Sequence, residues 1–594
     1  SNVIRNCQAR TNSDSSLTAG LRTNGTTTYV SLTENTIKNL EAVSSSTGSS
    51  KVYGVLQWAT SGSSYVYRRN VINSLTSVCG TGTRSGAVGI YATAFSNITM
   101  DSNYVHDINT NSSATGILGG AIGIYTTGSA TNNRVYNIIN TNATVNFIYS
   151  VGIYSGGGEV RRNLIYDIKT QTSNKSTVEG LRFTGVYIIA NVISLGTGIT
   201  TDPVIKAFND SSGIGSKVIA FNSTYIGGTQ SSNVSNTASY FINFFAQAQI
   251  YNNIFYNTRG STGSPGSLTG RHYAIKSTQN SFNALILSYN NCTSDDNGGT
   301  FAGTSAADYN TLAEYRTYTS GGGAFCFSSD PQYNDPENSP PDLTLPMNNK
   351  QSNGGARLNG FFNTDFNGNA RSNPSANRPD MGAFEENYGD PTIDLQEPYI
   401  YYAPLTQDLA VNNTRTLTNF VYVSDNKSMS NTNAPRVFFK RTADPNDNLP
   451  VATNTPSDPM GWRYNSGTTF DAGSERNYSF VIDYSLMNPG SSLVGDTTYI
   501  QYFVSAEDNS GNFNSLVYGA NPGTPLVNVT SQPPNSISSY RLRSGIEGTY
   551  YIKAGGTPLF DSFEGFASYY NYGIITGDIT LILGGDIYGN DRIF

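Results

Sequence analysis

The chain has 594 residues and a formal net charge of −7, and only 13% of its residues are charged, against about 25% in a typical soluble domain. Its 60 Gly and 40 Tyr are typical of a β-rich extracellular protein rather than a cytosolic enzyme. The sequence has no basic patch to favour nucleic acid as a partner, and its two His argue against a histidine metal site. No apolar run reaches the roughly 18 residues of a transmembrane segment.

A short phrase built around one Asn recurs through the first half of the chain. It reads Ser-Asn-Val-Ile-Arg-Asn at 1–6, Arg-Asn-Val-Ile-Asn-Ser at 69–74 and Arg-Asn-Leu-Ile-Tyr-Asp at 162–167. Successive copies are 28 to 38 residues apart, which is typical of a solenoid whose loops absorb the variation in length. The predicted anchors are Asn2, Asn35, Asn70, Asn103, Asn133, Asn163, Asn191, Asn222, Asn253 and Asn291.

A second phrase, Gly-Ile-Tyr at 89–91, 123–125 and 152–154, lies between the Asn anchors. Each turn therefore holds at least two short strands separated by polar bends, which predicts an all-β fold with a parallel β-helix over residues 1–322. Helical repeats would need long runs of Ala, Leu, Glu and Lys at helical spacing. We expect each Asn to adopt the left-handed backbone conformation at a bend and to bond to the Asn of the next turn.

Residues 323–388 lose the repeat and are predicted to close the β-helix. The phrases Asp365-Phe-Asn-Gly-Asn369 and Asp380-Met-Gly-Ala-Phe-Glu385, with Arg371 between them, resemble the closing segment of secreted bacterial proteins of the pectin-lyase-like superfamily. Met381 replaces the Ile that is usual there. The resemblance implies a right-handed parallel β-helix, an extracellular location on the bacterial cell surface and export by the type IX route.

Residues 389–532 change to alternating strands, among them Tyr478–Tyr484 and Thr498–Ala506, whose spacing predicts an Ig-like β-sandwich with Trp462 in its core. Residues 533–594 contain Gly-Thr-Tyr-Tyr-Ile at 548–552 and resemble the N-terminal cap and first rung of a further β-helix. This order predicts one period of a tandem array, and a filament assembled end to end from separate chains is the alternative.

Polysaccharide enzymes with a β-helix need clustered carboxylates as acid and base, or an acidic calcium site beside a basic residue. The acids of the coils are scattered, and Asp107 and Asp167 occupy the same position two turns apart, with Asn137 between them. We therefore predict no catalytic residues. His106, beside Asp107, is interpreted as a solvent-facing variable position.

Two oxygen-rich turns are candidates for structural calcium, although both lack the terminal bidentate acid of an EF-hand loop. Their predicted ligands are Asp365, Asn367, Asn369, Asp508 and Asn512. An ordinary structural turn is the alternative for each, and no other cofactor is expected. Cys292 and Cys326 form either a disulfide or two free buried thiols.

These features predict a non-enzymatic structural or adhesive protein of a bacterial surface, built of β-helix and Ig-like modules. The expected partners are copies of the chain or adjacent repeats, and surface polysaccharide is a further candidate. The competing hypothesis is a polysaccharide lyase or hydrolase, or a carbohydrate-binding β-helix. Arg182 and Lys206 either meet an acidic sugar or are ordinary surface charges.

Overall fold

The structure is a computed structural model, and the chain divides into two compact units, Ser1–Thr392 and Ile393–Phe594. No helix among its described residues is long and apolar enough to cross a membrane. The structure describes residues 2–584 except 12–14, 25–28, 45–48, 59–63, 80–85, 94–96, 114–115, 143–146, 172–173, 212–215, 232–234, 244–246, 263–268, 283–284, 295–297, 320–321, 324–325, 347–348, 350, 352–353, 357, 359–362, 372–378, 387–397, 403–404, 410–413, 425–433, 445–460, 470–474, 488–497, 508–514, 518–536, 544, 554–555, 558, 563–564, 568–569 and 571–573.

The first unit is a parallel β-helix in which each turn, or rung, adds one strand to each of three sheets, as the sequence predicts. Sheet A follows the Asn anchors and consists of Val3–Thr11, Thr36–Ser44, Val71–Cys79, Tyr104–Thr110, Arg134–Asn140, Leu164–Thr170, Val192–Leu195, Ser223–Ile226, Ile254–Asn257 and Asn291–Ser294. Sheet B consists of Ser15–Asn24, Ser49–Trp58, Gly86–Thr93, Ala121–Thr126, Tyr149–Ser155, Asn174–Phe183, Asp202–Asp210, Thr237–Ile242, His272–Ser277, Gly299–Gly303 and the antiparallel Asp308–Tyr309.

Sheet C precedes the Asn anchors. Its strands are Tyr29–Thr33, Ser64–Arg68, Asn97–Asp101, Ser129–Thr131, Glu159–Arg161, Tyr187–Ile189, Ser216–Ala220, Gln247–Tyr251 and Leu285–Ser288. A short parallel pair, Thr229–Gln230 with Gly260–Ser261, and the 3-10 turn Ile117–Gly119 complete the described strands and turns of the coil.

The core consists of like residues stacked in columns. In sheet A, Ile72, Val105, Val135 and Ile165 are in direct register on consecutive strands and are fully buried. The Gly of the Gly-Ile-Tyr phrase faces this column from sheet B, since a Cβ at Gly152 would lie 2.5 Å from Ile165 Cγ2. The Gly of the second phrase is therefore explained by the close packing of sheet B against sheet A.

The C-terminal end of the coil is covered by the short helix Leu312–Tyr318, whose Tyr315 is buried in the core and packs its ring 5.4 Å from those of Phe282 and Phe301. The predicted closing segment lies elsewhere. Its Met381 and Ala383 pack in a second apolar cluster on the outer face of sheet A. The segment thus covers the side of the coil, and the helix that precedes it covers the end.

The second unit contains two antiparallel sheets that share one core. The first has strands Tyr399–Tyr401, Thr414–Ser424, Glu475–Asp483 and Thr468–Thr469, and the second has Arg436–Arg441, Arg463–Ser466, Tyr499–Glu507, Ser515–Val517, Ser538–Arg543 and the parallel edge strand Asp408–Leu409. The 3-10 turn Tyr484–Leu486 follows Glu475–Asp483. Since Ser538–Arg543 pairs with Tyr499–Glu507, this arrangement extends beyond the predicted boundary at residue 532.

Ile500, Tyr502, Val504 and Ala506 face the shared core, as their alternation predicts. Trp462 is fully buried, but it belongs to a separate cluster with Phe438 and Phe503. Phe438 and Phe503 point away from the shared core because side chains alternate along a strand. Trp462 is therefore buried as predicted, but in this second cluster and not in the core that the two sheets share.

The second unit also contains a parallel sheet. Its strands, in spatial order, are Leu559–Phe560, Gly545–Ile552 and Ile574–Leu583. Gly545 pairs with Ile574, and Gly548 pairs with Ile579. The sequence separations within these two pairs fall within the range of separations between successive Asn anchors in the coil.

Candidate functional site

The Asn anchors form one continuous ladder along the coil. The side-chain Nδ2 of each Asn donates to Oδ1 of the Asn on the next rung, at 2.8–3.1 Å over nine steps from Asn2 to Asn290. The backbone N–H of each Asn donates to the same Oδ1, as from Asn133 to Asn163 at 3.0 Å. Each amide oxygen from Asn35 to Asn290 therefore accepts two hydrogen bonds from the preceding rung.

From Asn70 onward, the second amide hydrogen of each ladder residue binds a backbone carbonyl of the preceding rung. Asn163 Nδ2 donates to Ala130 O at 2.9 Å, and Asn191 Nδ2 donates to Val160 O at 3.0 Å. Both Asn side chains are fully buried. A buried polar group is costly unless it is paired. The loss of one ladder Asn would therefore leave unpaired groups on both neighbouring rungs.

The last predicted anchor is wrong by one residue. Asn253 bonds to Asn290 at 2.9 Å, and Asn291 instead pairs with Ile254 in sheet A and bonds to Ser329. The two Asn are adjacent in the sequence, and the register of sheet A decides which of them joins the ladder.

The predicted left-handed conformation belongs to the residue before each ladder Asn from Asn35 onward. Glu34, Arg69, Ser102 and Tyr289 have φ between 52° and 59°, whereas the described ladder Asn are not among the residues with positive φ. The Asn side chain therefore serves the hydrogen-bond ladder, and the turn itself accepts residues of several types.

The outer face of sheet B carries a column of aromatic rings. Tyr91, Tyr125 and Tyr154 are in register, and their rings stack with centroids 5.0 and 4.3 Å apart. Rings stacked on one another have covered faces, so the column presents mainly ring edges and hydroxyl groups to a partner.

The column leads into a charged cluster. Arg182 follows Tyr154 in register and binds the fully buried Glu179 through Nε at 2.7 Å and Nη2 at 2.8 Å. Asn209 Nδ2 donates to the same carboxylate at 2.6 Å. Lys206 is in register with Glu179, its Nζ lies 3.7 Å from the centre of the Phe241 ring, and burial lowers its pKa to about 8 against the attraction of Glu179.

Arg182 and Lys206 thus lie on adjacent rungs, and they provide two cations against one carboxylate. This surface has an excess positive charge beside a column of aromatic hydroxyl groups. It is suited to binding an anionic, hydroxyl-rich chain.

A second aromatic column runs along the outer face of sheet A. The rings of His106, Tyr136 and Tyr166 stack with centroids 4.7 and 4.8 Å apart. Ser194 occupies the next position and Tyr225 the one after. At this interruption Ser194 Oγ donates to Pro336 O at 2.7 Å.

A cavity of about 180 Å³ remains beside the interruption. It is lined by Tyr166, Ser194, Glu337 and the Asp167–Lys169 ion pair, whose atoms are 2.5 Å apart. The sequence contains no signal for this cavity, because its two sides are more than a hundred residues apart.

His106 is less exposed than predicted. Its side chain is 16% exposed because it stacks on Tyr136, and Nδ1 lies 2.9 Å from Asp107 Oδ2. Asn137 lies on the rung between Asp107 and Asp167, and its Nδ2 donates to Asp107 Oδ1 at 2.5 Å. The two carboxylates have different partners and do not form an acid–base pair.

The first calcium candidate is a hydrogen-bonded turn. Asp365 is fully buried, its Oδ1 accepts from Asn369 N at 2.7 Å, and its Oδ2 accepts from Glu385 N at 3.1 Å. Asn367 is exposed. Since N–H donors engage both carboxylate oxygens, the alternative interpretation as a structural turn fits this geometry. No group of three or more His, Cys, Asp or Glu side chains suited to a metal occurs among the residues that the structure describes.

The second calcium candidate, Asp508 and Asn512, lies outside the described residues. The two buried cysteines, Cys292 and Cys326, are free thiols, which decides between the alternatives left open by the sequence. Burial raises the pKa of Cys326 to about 11.

His272 forms a Ser–His contact that sequence reasoning missed. It is fully buried, with Nε2 2.8 Å from Ser261 Oγ and Nδ1 2.9 Å from Thr237 Oγ1. Burial and the nearby Arg259 cation lower its pKa to about 3. A general base must accept a proton, and this environment opposes that step, so the contact is structural.

Comparison of the chain with protein-family models, curated proteins and solved structures finds no match in any of the three.

Proposed function

We propose that the protein is a non-enzymatic structural or adhesive component of a bacterial cell surface or extracellular fibre. The observation that carries this proposal is the ladder, which continues without a break from Asn2 to Asn290. The ten strands of sheet A span roughly 43 Å at about 4.8 Å per strand. A coil held by side-chain hydrogen bonds at every rung is suited to serve as a long and rigid rod.

The finer assignments belong to the same proposal. The coil and its closing segment are assigned to the pectin-lyase-like superfamily. The two antiparallel sheets are assigned as an Ig-like spacer, and the export route is assigned as type IX. The parallel sheet at 545–583 represents the first rung of a further β-helix. In its edge strand Ile574–Leu583, the residues Ile575, Ile582 and Leu583 are 54%, 41% and 50% exposed. A following rung of the chain or another copy would cover this edge.

Electron microscopy of native material tests this function. A string of short rods indicates covalent tandem repeats, and a continuous filament indicates end-to-end assembly. Isolated particles that bind neither one another nor a surface would contradict the proposal.

A second candidate function is binding or cleavage of surface polysaccharide. The observation that favours it is the Tyr column on sheet B that leads to Arg182 and Lys206. Incubation with a panel of acidic polysaccharides distinguishes the outcomes. Release of unsaturated or reducing ends indicates an enzyme. Binding that is lost in Arg182→Ala with Lys206→Ala, but kept in a control with the exposed Arg22→Ala, indicates a binding surface.

A further inference from the structure

A lysine and an aspartate face each other in the interior of the coil. Asp210 ends the strand Asp202–Asp210 of sheet B, and Lys217 is the second residue of Ser216–Ala220 in sheet C. Their side chains are 1% and 0% exposed, and Lys217 Nζ contacts Asp210 Oδ1. The pair connects two sheets across one corner of the coil.

The surroundings of this pair are apolar and aromatic. Asp210 lies in register between Phe183 and Ile242, and Lys217 Nζ lies 5.5 Å from the centre of the Phe183 ring. The hydroxyl of the fully buried Tyr240 donates to Asp210 Oδ2 at 3.2 Å.

Two charges in such an environment lose their hydration, and their mutual attraction often fails to offset that loss. Burial lowers the pKa of Lys217, although Asp210 opposes the shift. Transfer of one proton from the ammonium to the carboxylate gives a neutral amine beside a neutral acid, which an apolar interior favours.

We propose that Lys217 and Asp210 are joined by an isopeptide bond. The neutral Nζ attacks Asp210 Cγ and forms the N–C bond, and the hydroxyl oxygen leaves with one proton from nitrogen as water. The products are one secondary amide and one water molecule, so no oxidant, reductant or other reactant is needed. The Tyr240 hydroxyl hydrogen-bonds to the carboxyl oxygen on which charge develops during the attack.

Other lysine–aspartate pairs of the coil differ in geometry or exposure. Lys276 Nζ lies 3.7 Å from Asp308 Oδ1 and donates instead to Thr304 O at 2.7 Å. Lys169 and Asp167 are 34% and 28% exposed, so water stabilises their charges. Among the residues that the structure describes, the proposed bond is therefore confined to Lys217 and Asp210, and Lys276 serves as an internal control.

The test is the intact mass of the full chain, followed by trypsin digestion of the unfolded protein. We expect a mass lower by one water than the sequence requires, no cleavage after Lys217 and normal cleavage after Lys276. Fragmentation must place the missing water in a branched peptide that contains Asp210 and Lys217. A full mass with normal cleavage after Lys217 would overturn the proposal, as would a missing water located elsewhere.

Two variants sharpen the test. Lys217→Met removes the amine but keeps an unbranched apolar chain, and it is expected to have its full mass. Asp210→Asn offers an amide as leaving group, so bond formation would release ammonia and lower the mass by one ammonia instead of one water. Loss of water in Lys217→Met would contradict the assignment, and the wild-type measurement decides the matter if either variant fails to fold.

Discussion

Each buried ladder Asn uses all the hydrogen-bonding capacity of its amide. For Asn163, Nδ2 donates to Asn191 Oδ1 and Ala130 O, while Oδ1 accepts both Nδ2 and the backbone N–H of Asn133. No other side chain of this size has two donors and two acceptors in this arrangement. Aspartate in particular would place an unpaired buried charge between two rungs.

Asn163→Ala is therefore expected to leave partners unsatisfied on both neighbouring rungs. Each unsatisfied buried group costs about 1–3 kcal/mol, so a loss of several kcal/mol is expected in the free energy of unfolding, measured by urea titration. Asn73→Ala is the matched control, because Asn73 lies on the outer face of sheet A in register with His106. Equal stabilities of the two variants would argue against a cooperative ladder.

His272 predicts a pH dependence with a definite sign. Its pKa is about 3 in the folded protein against 6.5 for an ordinary His. The unfolded chain therefore binds the proton first as the pH falls, and folding loses stability between pH 6.5 and about 3. His272→Gln should lose less stability than the wild type across that window, as measured by urea midpoints. Parallel losses in the two proteins would show that His272 is not responsible.

Single residues of the ladder are predictable from sequence only where the phrase is unambiguous. Asn35 and Asn70 are each followed by an apolar strand residue, whereas Asn290 and Asn291 compete for one place and the register of sheet A decides between them. The positive-φ residues that precede the ladder Asn, such as Glu34 and Tyr289, have no side-chain type in common, so composition cannot identify them.

At the scale of elements, the closing segment is organised around Arg371. Its Nη2 donates to Gly382 O and Ala383 O at 3.0 Å each, and its guanidinium stacks 3.9 Å from the centre of the Phe221 ring. Because these contacts join the Asp380–Glu385 phrase to the coil, Arg371 holds the closing segment against the coil. The sequence identifies the motif but not its position, since apolar residues such as Met381 do not specify which surface they cover.

Arg371→Leu is expected to release the closing segment while the ladder stays intact. The buried carboxylate of Glu385, 3.4 Å from Arg371, would lose its cation. Limited proteolysis should then cut first within 329–386, and Arg371→Lys should be intermediate because it keeps the charge but not the paired carbonyl bonds. The exposed Arg22→Ala is the control, and an unchanged digestion pattern in Arg371→Leu would contradict this role.

At the scale of the whole molecule, the coil has its own core and its own covers. The core extends from Ile37 to Tyr315 and Cys326, where the short helix covers the end, and the closing segment covers the apolar outer patch around Ile254 and Tyr256. Repeat arrays gain stability from neighbouring rungs rather than from distant contacts. These observations predict that residues 1–392 fold when they are produced alone.

A matched pair of truncations tests this expectation. A chain of residues 1–392 should show the β-sheet circular dichroism of the coil and one cooperative thermal transition. A chain of residues 1–328 keeps the ladder and the helix but exposes the patch that includes Ile254, Leu164 and Tyr166, so it should aggregate at lower temperature, because exposed apolar patches of this kind promote association. If residues 1–392 fail to fold, the coil depends on the second unit. If both chains behave alike, the closing segment does not protect the coil.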